Sequence, residues 1–319
     1  MLGSLPTMLL RRAPWALLTV LAASLIAFSI MFFAPGNPAE RILTAETGNE
    51  PTREAVLAFL KSKGLDQPFV QQYTAWMSNM LAGDLGTSLR TGNPVWEEFI
   101  DRFPATVLLA ITALMFSACV GVTLGILAAV KKNSWLDSLG NVLASIGSSV
   151  PSFWLALLLV LLFSIRLGWL PSYGYGQAKN LVLPTIALGL HQVARLLRIS
   201  RESMLDALGQ DYVNAAYARG VGTGTVIWRH ALRNAAVPIL TQLGLDLGAL
   251  LGGAVIVENI FGWPGIGSFM MSSVLSRDYT AIAGFVLIVA VIFVTINFAV
   301  DTLYTLLDPR IKPGARHHG

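Results

Sequence analysis

The chain has 319 residues, of which 54% are hydrophobic and only 13% charged, and its formal charge is +4. Soluble domains carry about 25% charged residues, so the composition excludes an ordinary soluble domain and points to a polytopic membrane protein. The single cysteine, Cys119, excludes an intrachain disulfide and a cysteine-based metal cluster, and no basic patches interleaved with aromatics suggest nucleic acid.

A helix needs about 20 mostly apolar residues to cross the hydrocarbon. Six segments meet this, roughly 15–33, 105–130, 139–165, 181–199, 235–257 and 281–305. The strands of a β-barrel would alternate in polarity, and runs such as "LLLVLLF" do not. The expected fold is an all-α polytopic membrane protein with six transmembrane helices.

Residues 1–33 read as an N-terminal cytoplasmic segment and helix 1. Arg11 and Arg12 before a hydrophobic run resemble a secretory signal, but the run is longer than a signal core and no A-x-A-like site follows, so an uncleaved span is expected. Residues 34–104 read as a small helical extracytoplasmic insertion. Thr52 can start one helix, with Val56, Phe59 and Leu60 on a face and Gly64 ending it. A second has Pro68 in its first turn and Gly83 as its stop. On it Phe69, Tyr73, Trp76, Met77 and Met80 recur at helical spacing, as a stripe that packs on neighbouring structure would.

Residues 105–307 form the expected permease core. Gly121 and Gly125 make a small-xxx-small surface on helix 2, and Gly248, Gly252 and Gly253 repeat it on helix 5. Pro151, Pro184 and Pro238 each remove a backbone donor, so a kink or a helix entry is expected at each. Between helices 4 and 5 lies a loop at about 200–234. Its residues Asp206 to Arg219 can form a compact Ala-rich helix that the chain leaves at Gly220. Small residues there let another surface come close, whereas a solvated connector would need no such arrangement.

Asp246 lies near the middle of helix 5, where a charge costs roughly 3 kcal/mol on insertion scales. It either lines a substrate path or makes a structural hydrogen bond, with Gln242 one turn away as a partner. The stretch Glu258 to Tyr279 contains a Trp263-Pro264-Gly265 turn and a helix too short to span, which fits a re-entrant or interfacial hairpin on the outer side. Asn297 and Asp301 read as an interface anchor near the end of helix 6, and residues 308–319 as a cytoplasmic tail.

Basic residues in short loops favour the cytoplasm. Arg11, Arg12, Lys131, Lys132, Arg195, Arg198, Arg201, Arg219, Arg229, Arg233, Arg310, Lys312 and Arg316 fall on one side, against Arg166, Lys179 and Arg277 in the short loops opposite. Both termini and the 200–234 loop are thus expected in the cytoplasm. No H-E-x-x-H, G-x-S-x-G or G-x-x-x-x-G-K-[ST] pattern occurs, so no catalytic residue, metal ligand or cofactor-binding residue is assigned to this chain. His317 and His318 in the polar tail read as solvated.

Several blocks in order give a resemblance that runs almost end to end. They are "LGTS" (Leu85 to Ser88), "PVWEEF" (Pro94 to Phe99), "FPAT" (Phe103 to Thr106), "SMLDALGQDYVNAAYARG" (Ser203 to Gly220), "RHALRNAAVP" (Arg229 to Pro238), "ENIFGWPGIG" (Glu258 to Gly267), "RDY" (Arg277 to Tyr279) and "LDPRI" (Leu307 to Ile311). The chain resembles a permease subunit of a binding-protein-dependent ABC importer of the dipeptide/oligopeptide/nickel family, with the type I fold. The resemblance implies a bacterial inner-membrane location, a second related permease subunit, two ATPase subunits that bind the ATP and Mg, and an extracytoplasmic substrate-binding protein.

It also implies that the loop before helix 5 carries the EAA signature, whose coupling helix docks in a groove of the ATPase. The signature lands on Asn214, Ala215, Ala216 and Gly220, and the docking segment as a whole on Asp211, Tyr212, Asn214, Ala215, Ala216, Arg219 and Gly220. Asn214 departs from the pattern, which has glutamate there. Asp246 and Gln242 are candidates for the translocation path. The short external link Leu167 to Asn180 is similar to that of nickel- and metal-chelate-type members and tips the expected cargo toward nickel or a metal–metallophore chelate, with peptides close behind. The rival reading is an autonomous secondary transporter or channel.

Overall fold

A computed structural model of the chain describes residues 4–33, 39–40, 43–44, 48–62 and 64–307, so the tail histidines lie outside the described residues. Its main helices are α1 (Ser4–Phe32), α2 (Arg53–Ser62), α3 (Phe69–Leu81), α4 (Val95–Val130), α5 (Trp135–Ser149), α6 (Ser152–Arg166), α7 (Ala178–Leu208), α8 (Asp211–Ala218), α9 (Thr223–Gly252), α10 (Val255–Phe261), α11 (Ile266–Leu275) and α12 (Tyr279–Leu307). Among the described residues, β structure is confined to an isolated bridge between Thr87 and Pro94.

Five helices are long and apolar enough to cross a membrane, and a sixth span results if the bent pair α5 and α6 is one span. The sequence suggests one run over 139–165, but α5 and α6 meet at 101°. Pro151 explains the break. It supplies no N–H and pushes Val150 into an extended conformation (φ −83°, ψ 120°), so the first helix must stop and a second begins after the proline. Pro184 and Pro238 lie inside α7 and α9, which run on past them.

Among the described residues the chain divides into two compact units, one of residues 4–8, 103–268 and 295–307, the other of those within 9–102 and of 269–294. In the first, α7 is the hub, touching α4, α5, α6 and α9. Gly121 and Gly125 let it approach α4 closely. A Cβ at Gly121 would sit 2.8 Å from Val193 O, and one at Gly125 2.6 Å from Leu197 O, both far inside contact distance. Gly252 instead faces open space. One buried core of this unit gathers Leu109, Leu183, Leu250, Val257, Phe261 and Trp263.

In the second unit the aromatic stripe packs as its spacing predicts. Phe28 of α1 meets Phe69, Tyr73 and Trp76 at ring separations of 5.2, 5.5 and 5.4 Å, and Ser24 and Tyr73 share a 2.8 Å hydrogen bond. Thr52 caps α2 through its Oγ1, Gly64 follows that helix at φ +66°, and Pro68 sits one place earlier than expected, as the cap of α3. Asp278 caps α12 by accepting from Ala281 N, and also accepts from Ser88 Oγ at 2.5 Å.

Candidate functional site

At about 1.5 Å per residue, the 31 residues of α7 extend roughly 46 Å, well beyond a hydrocarbon core of about 30 Å. A helix of that length extends past an apolar layer of that thickness as one continuous rod. Two residues later α8 begins, so a short surface helix is joined to a span with almost no slack.

The sequence segment that builds α8 has an internal logic. Asp211 places a negative charge in the first turn, where the helix dipole favours it. Val213 and Ala216, one turn apart, are 1% exposed and pack on Val226, with Val221 alongside. Gly220 takes φ +78°, a left-handed angle that only glycine adopts freely, and Val221 N closes the end on Ala216 O at 3.1 Å. The chain then reverses into α9, whose first turns contain a π-helical segment, Val226–Ala231.

The segment nominated for docking thus splits in two. Asp211, Tyr212, Asn214, Ala215, Arg219 and Gly220 are exposed, whereas Ala216 is turned inward and supports the helix from beneath. Arg219 folds its Nε back onto Ala215 O at 3.2 Å. Tyr212 accepts a 2.7 Å hydrogen bond from Asn234 Nδ2, a link between α8 and α9 that spacing alone does not reveal. Ser203, Asp206, Gln210, Tyr212, Asn234 and Pro238 line a groove of about 490 Å³ at this corner.

Above α8, the arginines of α7 are committed to neighbouring helices rather than left as free surface charge. Arg201 grips the buried Asp137 of α5 with two hydrogen bonds, Nε at 2.5 Å and Nη2 at 2.9 Å, the planar fork matching the carboxylate. Arg198 donates to Ser148 Oγ at 2.8 Å and to Ala144 O at 3.0 Å. Arg195 reaches Asp246 of α9 at 3.0 Å. Sequence reasoning counted these three as loop charges because α7 is more polar than the other spans.

Asp246 is fully buried and takes a 2.8 Å hydrogen bond from Gln242, as one of the two sequence readings has it. Arg195 is the partner that reading lacked. Among the described residues no group of three or more His, Cys, Asp or Glu is placed to hold a metal ion. What the arrangement offers is mechanical: a rod, α7, clamped by ion pairs to α5 and α9 and ending in a small rigid foot.

Residues 121–313 match the family model described as the binding-protein-dependent transport system inner membrane component, and residues 5–110 match the N-terminal model of such membrane components. The chain is 40% identical to a dipeptide transport system permease protein of Alkalihalophilus pseudofirmus, over 95% of this chain and 98% of the relative. It is 40% identical to a putative peptide transport system permease protein of Brucella abortus (96% and 98% covered) and 39% identical to a glutathione transport system permease protein of Salmonella typhimurium (92% and 95% covered). Among solved structures, a chain of the MetNI methionine ABC transporter in an inward-facing conformation aligns with a TM-score of 0.57 at 18% identity, over 66% of this chain and 96% of that one. That likeness establishes the fold.

Proposed function

The chain belongs to the binding-protein-dependent transport system inner membrane component family, and on that footing we propose that it forms half of the translocation path of an ATP-driven importer for small peptides. As a family member it is the permease, not a catalytic subunit, and works with an ATPase and a binding protein. A second, related permease supplies the other half of the path, two ATPases engage the pair from the cytoplasm, and the binding protein delivers cargo from outside.

The observation that carries the mechanism is the foot. The α8 helix is packed on Val226, tied to Asn234 and continuous with α7, so a push on its exposed residues moves α7 and α9 together. Coupling requires a two-state element that both sites bias, and a slack connector would dissipate the displacement. ATP-driven closure of the ATPases shifts the foot, and the attached spans exchange an outward for an inward opening. This assigns Asp211, Tyr212, Asn214, Ala215, Arg219 and Gly220 to the ATPase interface, with Ala216 beneath them.

For the cargo, the relatives bear the names dipeptide, peptide and glutathione transport, and this favours small peptides over the nickel or metal chelate that the short 167–180 link suggests. The test is reconstitution of the chain with its permease, ATPase and binding-protein partners in proteoliposomes. ATP-dependent uptake of a dipeptide is expected, with none from the chain alone. Uptake of nickel or its chelate without peptide would move the assignment back to metal, and transport by the isolated chain would favour the autonomous carrier.

A further inference from the structure

The surface of α7 differs from that of every other long helix. The α6 helix exposes Phe153, Trp154, Leu157, Leu161, Leu162 and Ile165, a face suited to lipid, whereas Val182 is the one large hydrophobic residue exposed on the described α7. In their place α7 exposes His191, Arg195 and Arg198, which at spacings of four and three share one face. A polar face at membrane depth is stable only against water or other polar groups. This face therefore borders water or another polar surface rather than lipid.

Two of its members are poised differently. Arg198 is engaged with Ser148 and Ala144. Arg195 uses only Nη1, on Asp246; its Nε and Nη2 make no hydrogen bond among the described residues, and its side chain is 42% exposed. Asp246, buried and braced by Gln242, orients the guanidinium without itself reaching the surface. One turn away His191 stands at a cavity of about 390 Å³ that Ser149, Ser152 and Gln192 also line, a size within the range of small-molecule pockets. Gln192 is 8% exposed and its Oε1 lacks a hydrogen-bond partner.

We infer that Arg195 and His191, beside the cavity holding Gln192, form a carboxylate subsite on the translocation path that takes the C-terminal carboxylate of a peptide. The inference rests on the peptide-importer reading above. The open edge of the guanidinium offers the paired donors that a carboxylate fits, and the neighbouring cavity accommodates the adjoining peptide unit. Asp246 and Gln242 are positioning residues.

The experiment compares uptake of one dipeptide as free acid and as C-terminal amide by the reconstituted complex. Selection by the binding protein is common to all permease variants and cancels when acid-to-amide ratios are compared. Arg195→Gln with Asp246→Asn removes both charges of the pair together and avoids a stranded carboxylate. Wild type is expected to prefer the acid, and the double variant to lose about tenfold of that preference, the worth of one charged hydrogen bond. His191→Gln, at an exposed position, should reduce the ratio in the same direction and serves if the double variant does not assemble. An unchanged ratio in the variant that assembles overturns the subsite while leaving the peptide reading intact. Absence of any peptide uptake by the wild type overturns both.

Discussion

Thr106 and Glu258, 152 positions apart in sequence, meet through a 2.6 Å hydrogen bond in a site closed to solvent. The threonine hydroxyl also accepts from Ile266 N at 2.9 Å, Glu258 Oε2 accepts from Ser268 N at 2.9 Å, and Trp263 Nε1 donates to Ala105 O at 2.8 Å. Two of the sequence blocks, "FPAT" and "ENIFGWPGIG", are therefore two halves of one buried joint. Thr106→Val keeps the shape but leaves Glu258 Oε1 without the hydroxyl donor and Ile266 N without its acceptor, each costing about 1–3 kcal/mol. The purified variant should melt measurably lower than wild type in detergent, and Thr106→Ser should restore most of the loss. A Thr106→Val protein as stable as wild type would show that the joint contributes little.

The clamp between α5 and α7 makes a second prediction. Arg201→Leu leaves Asp137 buried without its partner, and Asp137→Leu leaves the guanidinium unmatched. The double variant removes both and should be less destabilised than the two single effects summed. A double-mutant cycle should give a coupling energy of roughly 0.5–3 kcal/mol, as for residues in direct contact. Strict additivity would indicate that the pair is not formed in the membrane.

Ala215 and Ala216 are neighbours in sequence with opposite exposures, and the same substitution should separate them. Ala215→Trp adds bulk to an exposed face, so thermal stability should be retained while ATP hydrolysis is no longer coupled to uptake. Ala216→Trp forces an indole among Val213 and Val226 and should lower stability first. Equal effects of the two variants on both readouts would remove the distinction between contact face and support.

Much of this architecture is legible in the sequence, because apolar length and glycine placement act locally. The six apolar segments, the Thr52 cap, the aromatic stripe on α3 and the Gly121–Gly125 contact follow from composition and spacing. The 101° break at Pro151 is hidden, since a proline can bend, start or merely interrupt a helix depending on how neighbouring helices satisfy the freed groups. The inward turn of Ala216 is hidden because alanine suits either face. The arginine pairings of α7 depend on which helix packs where, and neither period nor charge count contains that information.

In the proposed function, the exposed face of α8 is a cytoplasmic foot pressed against an ATPase. With Cys119, the chain's only cysteine, replaced by serine, a cysteine placed at Ala215 provides the direct probe. Protection from membrane-impermeant thiol reagents added outside is expected, with a crosslink to an ATPase subunit whose yield changes between the ATP-bound and nucleotide-free complex. Labelling of Ala215→Cys from the outer face, or an assembled and active complex in which it never crosslinks to an ATPase, would contradict it.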